Sequence, residues 1–158
     1  NKEEQGQYKN GKRDGEWTFW HDNEYIKSTG FYKDGQMNGP WKFYYKNGVK
    51  EKEGVLVNGN ADGQWTFWNK NSNKVQEGFF SDGIKDGKWT AWFSDGRLTE
   101  GIYKTGKKED VWTSWWDYDK TRKEMQGKYK GGKMIDKWYF YDGNGNLKEI
   151  RYFSPDFN

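Results

Sequence analysis

The chain contains no cysteine, a single histidine and two prolines among its 158 residues. Without thiols, disulfides and thiolate chemistry are excluded, though the compartment is left open. With His21 as the sole imidazole and no cysteine beside it, a metal centre lacks its usual nitrogen and sulfur ligands. No apolar run approaches the roughly 20 residues of a membrane-spanning helix, and no signal-type apolar segment is present. The usual core residues are scarce too: Leu, Ile, Val and Phe together make only 23 of 158 residues, and the mean hydropathy is −1.36. Such values resemble disorder. An excess of one charge, the other mark of disorder, is missing: 27 basic and 24 acidic residues leave a net charge of +3. The two signs are interleaved, which describes a solvated face and not a nucleic-acid footprint.

What the chain has is rings. One residue in five is Trp, Tyr or Phe, and each ring buries enough area to stand in for the missing aliphatic core. Six tryptophans recur in register: Trp17, Trp41, Trp65, Trp89, Trp112 and Trp138, at steps of 24, 24, 24, 23 and 26 residues. A glycine stands 11 residues before each, at Gly6, Gly30, Gly54, Gly78, Gly101 and Gly127. Self-similarity at this period marks an array in which each unit buries its apolar face against its neighbours. The sequence therefore reads as one array over 1–158, with units starting near those six glycines and a C-terminal cap at about 146–158.

Within each unit, turn signals separate short runs rich in aromatics and Thr. Asn10-Gly11, Asp34-Gly35, Asn58-Gly59 and Asp82-Gly83, with Thr105-Gly106 and Gly131-Gly132 as later equivalents, read as tight hairpin turns. Asn47-Gly48 and Asp95-Gly96 close the other end. A further turn pair precedes each Trp (Asp14-Gly15, Asn38-Gly39, Asp62-Gly63, Asp86-Gly87), becoming Glu109-Asp110 and Asp136-Lys137 in the last two units. No segment has a helical period. The expected fold is all-β: an elongated, single-layer antiparallel meander of about six hairpin units and roughly twelve strands, twisted into a grooved ribbon. Pro40 is expected at the first residue of a strand.

Strand alternation sorts the rings onto two faces. One carries each repeat Trp and its partner two residues on: Trp17/Phe19, Trp41/Phe43, Trp65/Phe67 and Trp138/Phe140. Units four and five have Ala91 and Ser114 there, with Phe93 and Trp116 one step further. The opposite face carries a ladder of Trp20, Tyr44, Trp68, Trp92, Trp115 and Tyr141. The repeat glycines suit positions where a neighbouring ring crosses the backbone.

The string Gly-x-Tyr-Lys-Asn-Gly-Lys-x-Asp-Gly-x-Trp-Thr-Phe-Trp, from Gly6 to Trp20, resembles the bacterial variant of the MORN repeat, and recurs six times as far as about Ile150. The resemblance implies a single-layer β-hairpin ribbon used for binding or scaffolding. Some bacterial members of that group are known as antitoxins of toxin–antitoxin pairs, which implies a protein partner; eukaryotic members have been linked to phospholipids.

Catalysis finds little support. His21 reads as an exposed turn residue, the acids sit mostly in turns, and no pair of carboxylates stands out from the repeat. Asp142-Gly143-Asn144-Gly145-Asn146 opens like an EF-hand loop but has Leu147 at the sixth position and Phe153 at the twelfth. The expectation is a monomeric, non-catalytic protein-binding or scaffolding module without cofactor or metal, antitoxin-like or immunity-like, using Trp20, Tyr44, Trp68, Trp92, Trp115 and Tyr141. The alternative is a cell-surface glycan reader, since the ladder offers one ring every two strands, about 10 Å. No nucleic acid is expected. The start at Asn1 instead of Met favours an upstream processing event and an extracytoplasmic or cell-surface location.

Overall fold

A computed structural model describes residues 3–154; residues 155–158 of the expected cap, and residues 1–2 at the other end, lie outside the described residues. The chain divides into two compact units, Asn1–Ile84 and Lys85–Asn158. The first holds β1 (Glu4–Lys9), β2 (Lys12–Trp20), β3 (Ile26–Lys33), β4 (Gln36–Tyr44), β5 (Lys50–Val57), β6 (Asn60–Trp68) and β7 (Lys74–Ser81). The second holds β8 (Ile84–Trp92, from Lys85 on), β9 (Leu98–Lys104), β10 (Lys107–Trp115), β11 (Lys123–Lys130), β12 (Lys133–Tyr141) and β13 (Leu147–Phe153). Within each unit every strand pairs antiparallel with the next in sequence, so the all-β meander of hairpins is the fold. Helix is absent among the described residues. There are thirteen strands where roughly twelve are expected, because part of the cap pairs with β12 as β13.

The tight turns form where Asn-Gly and Asp-Gly stand. Asp34 and Gly35 have φ of 51° and 88°, the doubly positive backbone that a two-residue hairpin needs and that Asp and Gly tolerate best. The Gly35 amide then donates to the Arg13 carbonyl of the preceding hairpin at 2.9 Å, and Gly59 to Met37 likewise at 2.8 Å, tying successive repeats together.

The Gly before each Trp is not a turn. Gly15, Gly39, Gly63 and Gly87 have positive φ but lie inside the nine-residue strands β2, β4, β6 and β8. The register slips beside them: Gly30 faces Trp41 while Tyr32 already faces Met37. These are bulges, which add residues to one strand without ending it. Pro40 is accordingly the fifth residue of β4 and not the first; it directly follows the bulge at Gly39, one of the few places inside a sheet where a missing N–H is tolerated.

All six repeat tryptophans are buried, between 1 and 5% exposed, and within each unit they share one face. Trp41 shows why the glycine 11 residues back is needed. A Cβ on Gly30 would lie 2.1 Å from Trp41 Cδ2, so the indole lies flat across bare backbone, and Trp41 Nε1 donates to the Phe31 carbonyl at 3.0 Å. The same pairing recurs for Trp17, Trp65, Trp112 and Trp138. Between the tryptophans stand rings two residues past the repeat glycine, except after Gly54, where Leu56 takes the place. Tyr32 meets Trp17 and Trp41 edge-on at 5.9 and 5.3 Å, and Tyr103 meets Trp89 and Trp112 at 6.0 and 5.2 Å. Edge-to-face pairs of this kind contribute about 0.5–1.5 kcal/mol each beyond area burial.

Candidate functional site

The six ladder rings close the strands that carry the repeat tryptophans: Trp20 ends β2, Tyr44 β4, Trp68 β6, Trp92 β8, Trp115 β10 and Tyr141 β12. Each lies three residues past its repeat Trp on the same strand, so alternation directs it to the opposite face. The first unit brings Trp20, Tyr44 and Trp68 onto that face, and the second brings Trp92, Trp115 and Tyr141. All six are half-buried. Their cross-strand partners are Ile26, Lys50, Lys74, Leu98, Lys123 and Leu147. Lys50 lies 4.8 Å from the Trp68 ring while pairing with Glu53 at 2.9 Å, and Lys74 pairs with Glu77 at 2.8 Å. Partly exposed pairs of this kind are worth about 1 kcal/mol or less. Their effect here is to frame the rings with charge.

A second row on this face is not singled out in the sequence reading. The residue after each repeat glycine points away from the tryptophans: Gln7, Phe31, Val55, Phe79, Ile102 and Lys128. Phe31, Val55, Phe79 and Ile102 are 41–45% exposed. The signal for them was the constant offset of one residue from the glycine, with apolar residues in the repeats between two polar ends. In the second unit the same face also holds a cavity of about 710 Å³ lined by Val111, Gln126, Lys128, Lys137, Tyr139 and Tyr152.

Other expected details shift. His21 is half-buried, and its Nε2 meets the Tyr44 carbonyl at 2.9 Å, so the nitrogen donates and links one repeat to the next. Phe93 does not refill the place left by Ala91; it is 46% exposed. Ser114, standing where other repeats have Phe, is buried and donates to Thr99 Oγ1 at 3.0 Å.

Asp22, Asp95, Asp117, Asp142 and Glu149 are all held below the ordinary carboxylate range. For Asp142 the first cause is the Asn146 backbone amide, which donates to Oδ1 at 2.9 Å in the turn. Burial raises Asp117, but bonds from Arg122 and Thr121 outweigh it and bring the group down to about 2. Asp95, Asp117 and Asp142, held ionised in this way, organise turns, and Glu149 pairs with Arg151 within β13, whereas a general acid needs the opposite shift. Among the described residues no three His, Asp or Glu side chains converge as metal ligands, and no helix is long and apolar enough to cross a membrane.

Two stretches of the first unit, residues 13–34 and 37–58, match the MORN repeat variant family. Each runs from the residue four before a repeat Trp to the next tight turn. MORN repeats are commonly protein- or membrane-binding modules. No curated protein matches the chain.

Proposed function

We propose that the chain is a non-catalytic protein-binding module whose partner docks on the ladder face of either unit, with Phe31, Val55 and Phe79 as anchors beside Trp20, Tyr44 and Trp68 in the first, and Ile102 as anchor beside Trp92, Trp115 and Tyr141 in the second. The observation that carries this reading is the exposed apolar row. The folding of the sheet has already used the opposite face for its tryptophans, and apolar side chains left 41–45% exposed at one repeated position suit an interface. Apolar and aromatic anchors ringed by charge are also the usual make-up of an interface centre and its rim. The resemblance to antitoxin-bearing relatives makes a toxin the first partner to test, with the product of the adjacent gene as its source.

The test is calorimetry with that product, using Phe31→Ser/Phe79→Ser and, separately, Trp68→Ser. Loss of interface anchors worth about 2 kcal/mol or more weakens binding at least tenfold, with melting temperature nearly unchanged for the Phe pair. Undiminished binding by both variants would sink the ladder-face reading. Retention of the parent chain on cell-wall polysaccharide, lost in Trp68→Ser, would favour the glycan alternative instead.

A further inference from the structure

The tryptophan face carries charge where the fold does not ask for it. The position four residues before each repeat Trp faces the core rings, and reads Arg13, Met37, Ala61, Lys85, Lys108 and Met134. Methionine at 37 and 134 and alanine at 61 show that packing there is met without a cation. Arg13 covers the Trp17 ring at 4.7 Å, but its charge is neutralised by Glu4 at 2.6 Å. Lys85 and Lys108 differ. The Lys85 ammonium lies 3.8 Å from the Trp89 centroid and 5.1 Å from Tyr103, and Lys108 lies 4.1 Å from Trp112 and 4.9 Å from Tyr129. Both are half-buried, and neither has a carboxylate partner among the described residues. Burial, then the charge of Lys108, pushes Lys85 below its ordinary value, and burial does the same to Lys108. Tyr103 and Tyr129, pushed upward by burial, stay protonated and neutral, with their rings beside the two ammoniums. The result is two partly desolvated cations on an aromatic floor, in consecutive repeats, without a carboxylate partner among the described residues.

We infer that Lys85 and Lys108, with Tyr103 and Tyr129, form a docking site for an extended acidic peptide that places one carboxylate on each ammonium. The spacing specifies the ligand further. Equivalent residues of consecutive hairpins are two strands apart, about 9.6 Å. A polyproline II chain has three residues per turn and rises about 3.1 Å per residue, so side chains at i and i+3 point the same way about 9.3 Å apart. The matching segment is Glu-x-x-Glu in polyproline II conformation, laid across the strands. An ammonium held over indole is stripped of part of its water, which strengthens its attraction for a carboxylate and gives it reason to prefer one over solvent. The site lies on the face opposite the ladder and stands or falls independently of the function proposed above.

The test is titration of the whole chain with a proline-rich peptide bearing Glu at every third position, read by calorimetry and by the fluorescence of the tryptophans beneath the ammoniums. Lys85→Met/Lys108→Met is the informative variant, because the protein itself uses Met at this position. The parent is expected to bind the peptide at least tenfold more tightly than the double variant, with an unchanged circular dichroism spectrum. It should also bind at least tenfold more tightly than it binds the Gln-for-Glu peptide or a peptide with Glu at every second position. Equal affinity of parent and double variant would overturn the site. Equal affinity for the two Glu spacings, or complete displacement by inorganic phosphate at low millimolar concentration, would overturn the peptide assignment. Should the double variant lose its fold, Lys108→Met alone decides by the same comparison.

Discussion

The two units build the same hairpin and fill it differently. In the first, Phe19, Phe43 and Phe67 stack between the tryptophans. Trp17–Phe19, Phe19–Trp41, Trp41–Phe43, Phe43–Trp65 and Trp65–Phe67 follow one another at 5.7–6.3 Å with near-parallel planes. Leu56 and Met37 complete an apolar cluster around Trp41 and Trp65. In the second, Ala91 and Ser114 supply no ring to stack, and Trp89, Tyr103, Trp112, Tyr129 and Trp138 follow one another in edge-on contacts at 5.0–6.1 Å. Above them stand lysines, and after Gly87 the bulge glycine gives way to Asp110 and Asp136, with φ of 59° and 60°. One backbone thus supports an apolar version and a polar version of the same face. The second version has fewer stacked rings, lysines over its tryptophans and two bulges without glycine.

The largest expected effect breaks the comparison at the tryptophan itself. Trp41→Ala should cost about 3–5 kcal/mol, the usual range for losing a buried ring, and Trp112→Ala should fall at the low end of that range. Denaturant unfolding that ranks Trp112→Ala as the more damaging change would contradict the stacking account. Next comes the glycine beneath the ring. Gly30→Ala drives a methyl into Trp41 and should destabilise by about 1–3 kcal/mol through overpacking. Combined with Trp41→Ala the penalty should largely disappear, because the clash has no second partner; strict additivity of the two changes would show that Gly30 matters for some other reason.

A smaller effect sharpens the contrast in charge. Lys85→Met should raise the melting temperature at neutral pH, since the parent holds a partly desolvated cation in the folded state. The sign follows from linkage: with the folded pKa below the ordinary 10.5, the unfolded chain holds more protons in the window between them, so parent stability rises with pH there. The advantage of Met should therefore narrow as pH climbs through that window toward 10.5, and a gap that widens instead would reverse the assignment. The smallest effect concerns the bulge. Asp110→Gly restores the residue that the first unit uses, and should stabilise by no more than about 1 kcal/mol by relieving a left-handed backbone. Thermal melts showing a clear loss would mean that the Asp110 side chain itself supports the bulge.

How much of this was legible depends on whether a feature lives within one strand or between two. The turns were readable because Asp34-Gly35 and its equivalents require positive φ locally, whatever surrounds them. The pairing of each repeat Trp with a glycine was readable because their offset of 11 never varies. Alternation along a single strand also separated Trp17 and Phe19 from Trp20. Three features were not readable. Gly39 looks like a turn residue, and only the pairing of β4 on both sides makes it a bulge and lets Pro40 sit inside the strand. Tyr32 and Phe31 are neighbours in sequence, yet one is wedged between tryptophans and the other faces solvent. That assignment follows from Gly30 facing both Trp17 and Trp41. Lys85 and Lys108 read as ordinary surface charge until the register sets them over indole rings. The sequence by itself determined the period, the hairpins and the choice of Trp over Gly as the core contact, because these rest on local backbone preference and on constant spacing. Tertiary structure decided which face each remaining side chain joined and which charges lost their water, because cross-strand register is a relation between distant residues, and the extra residues of each bulge shift it.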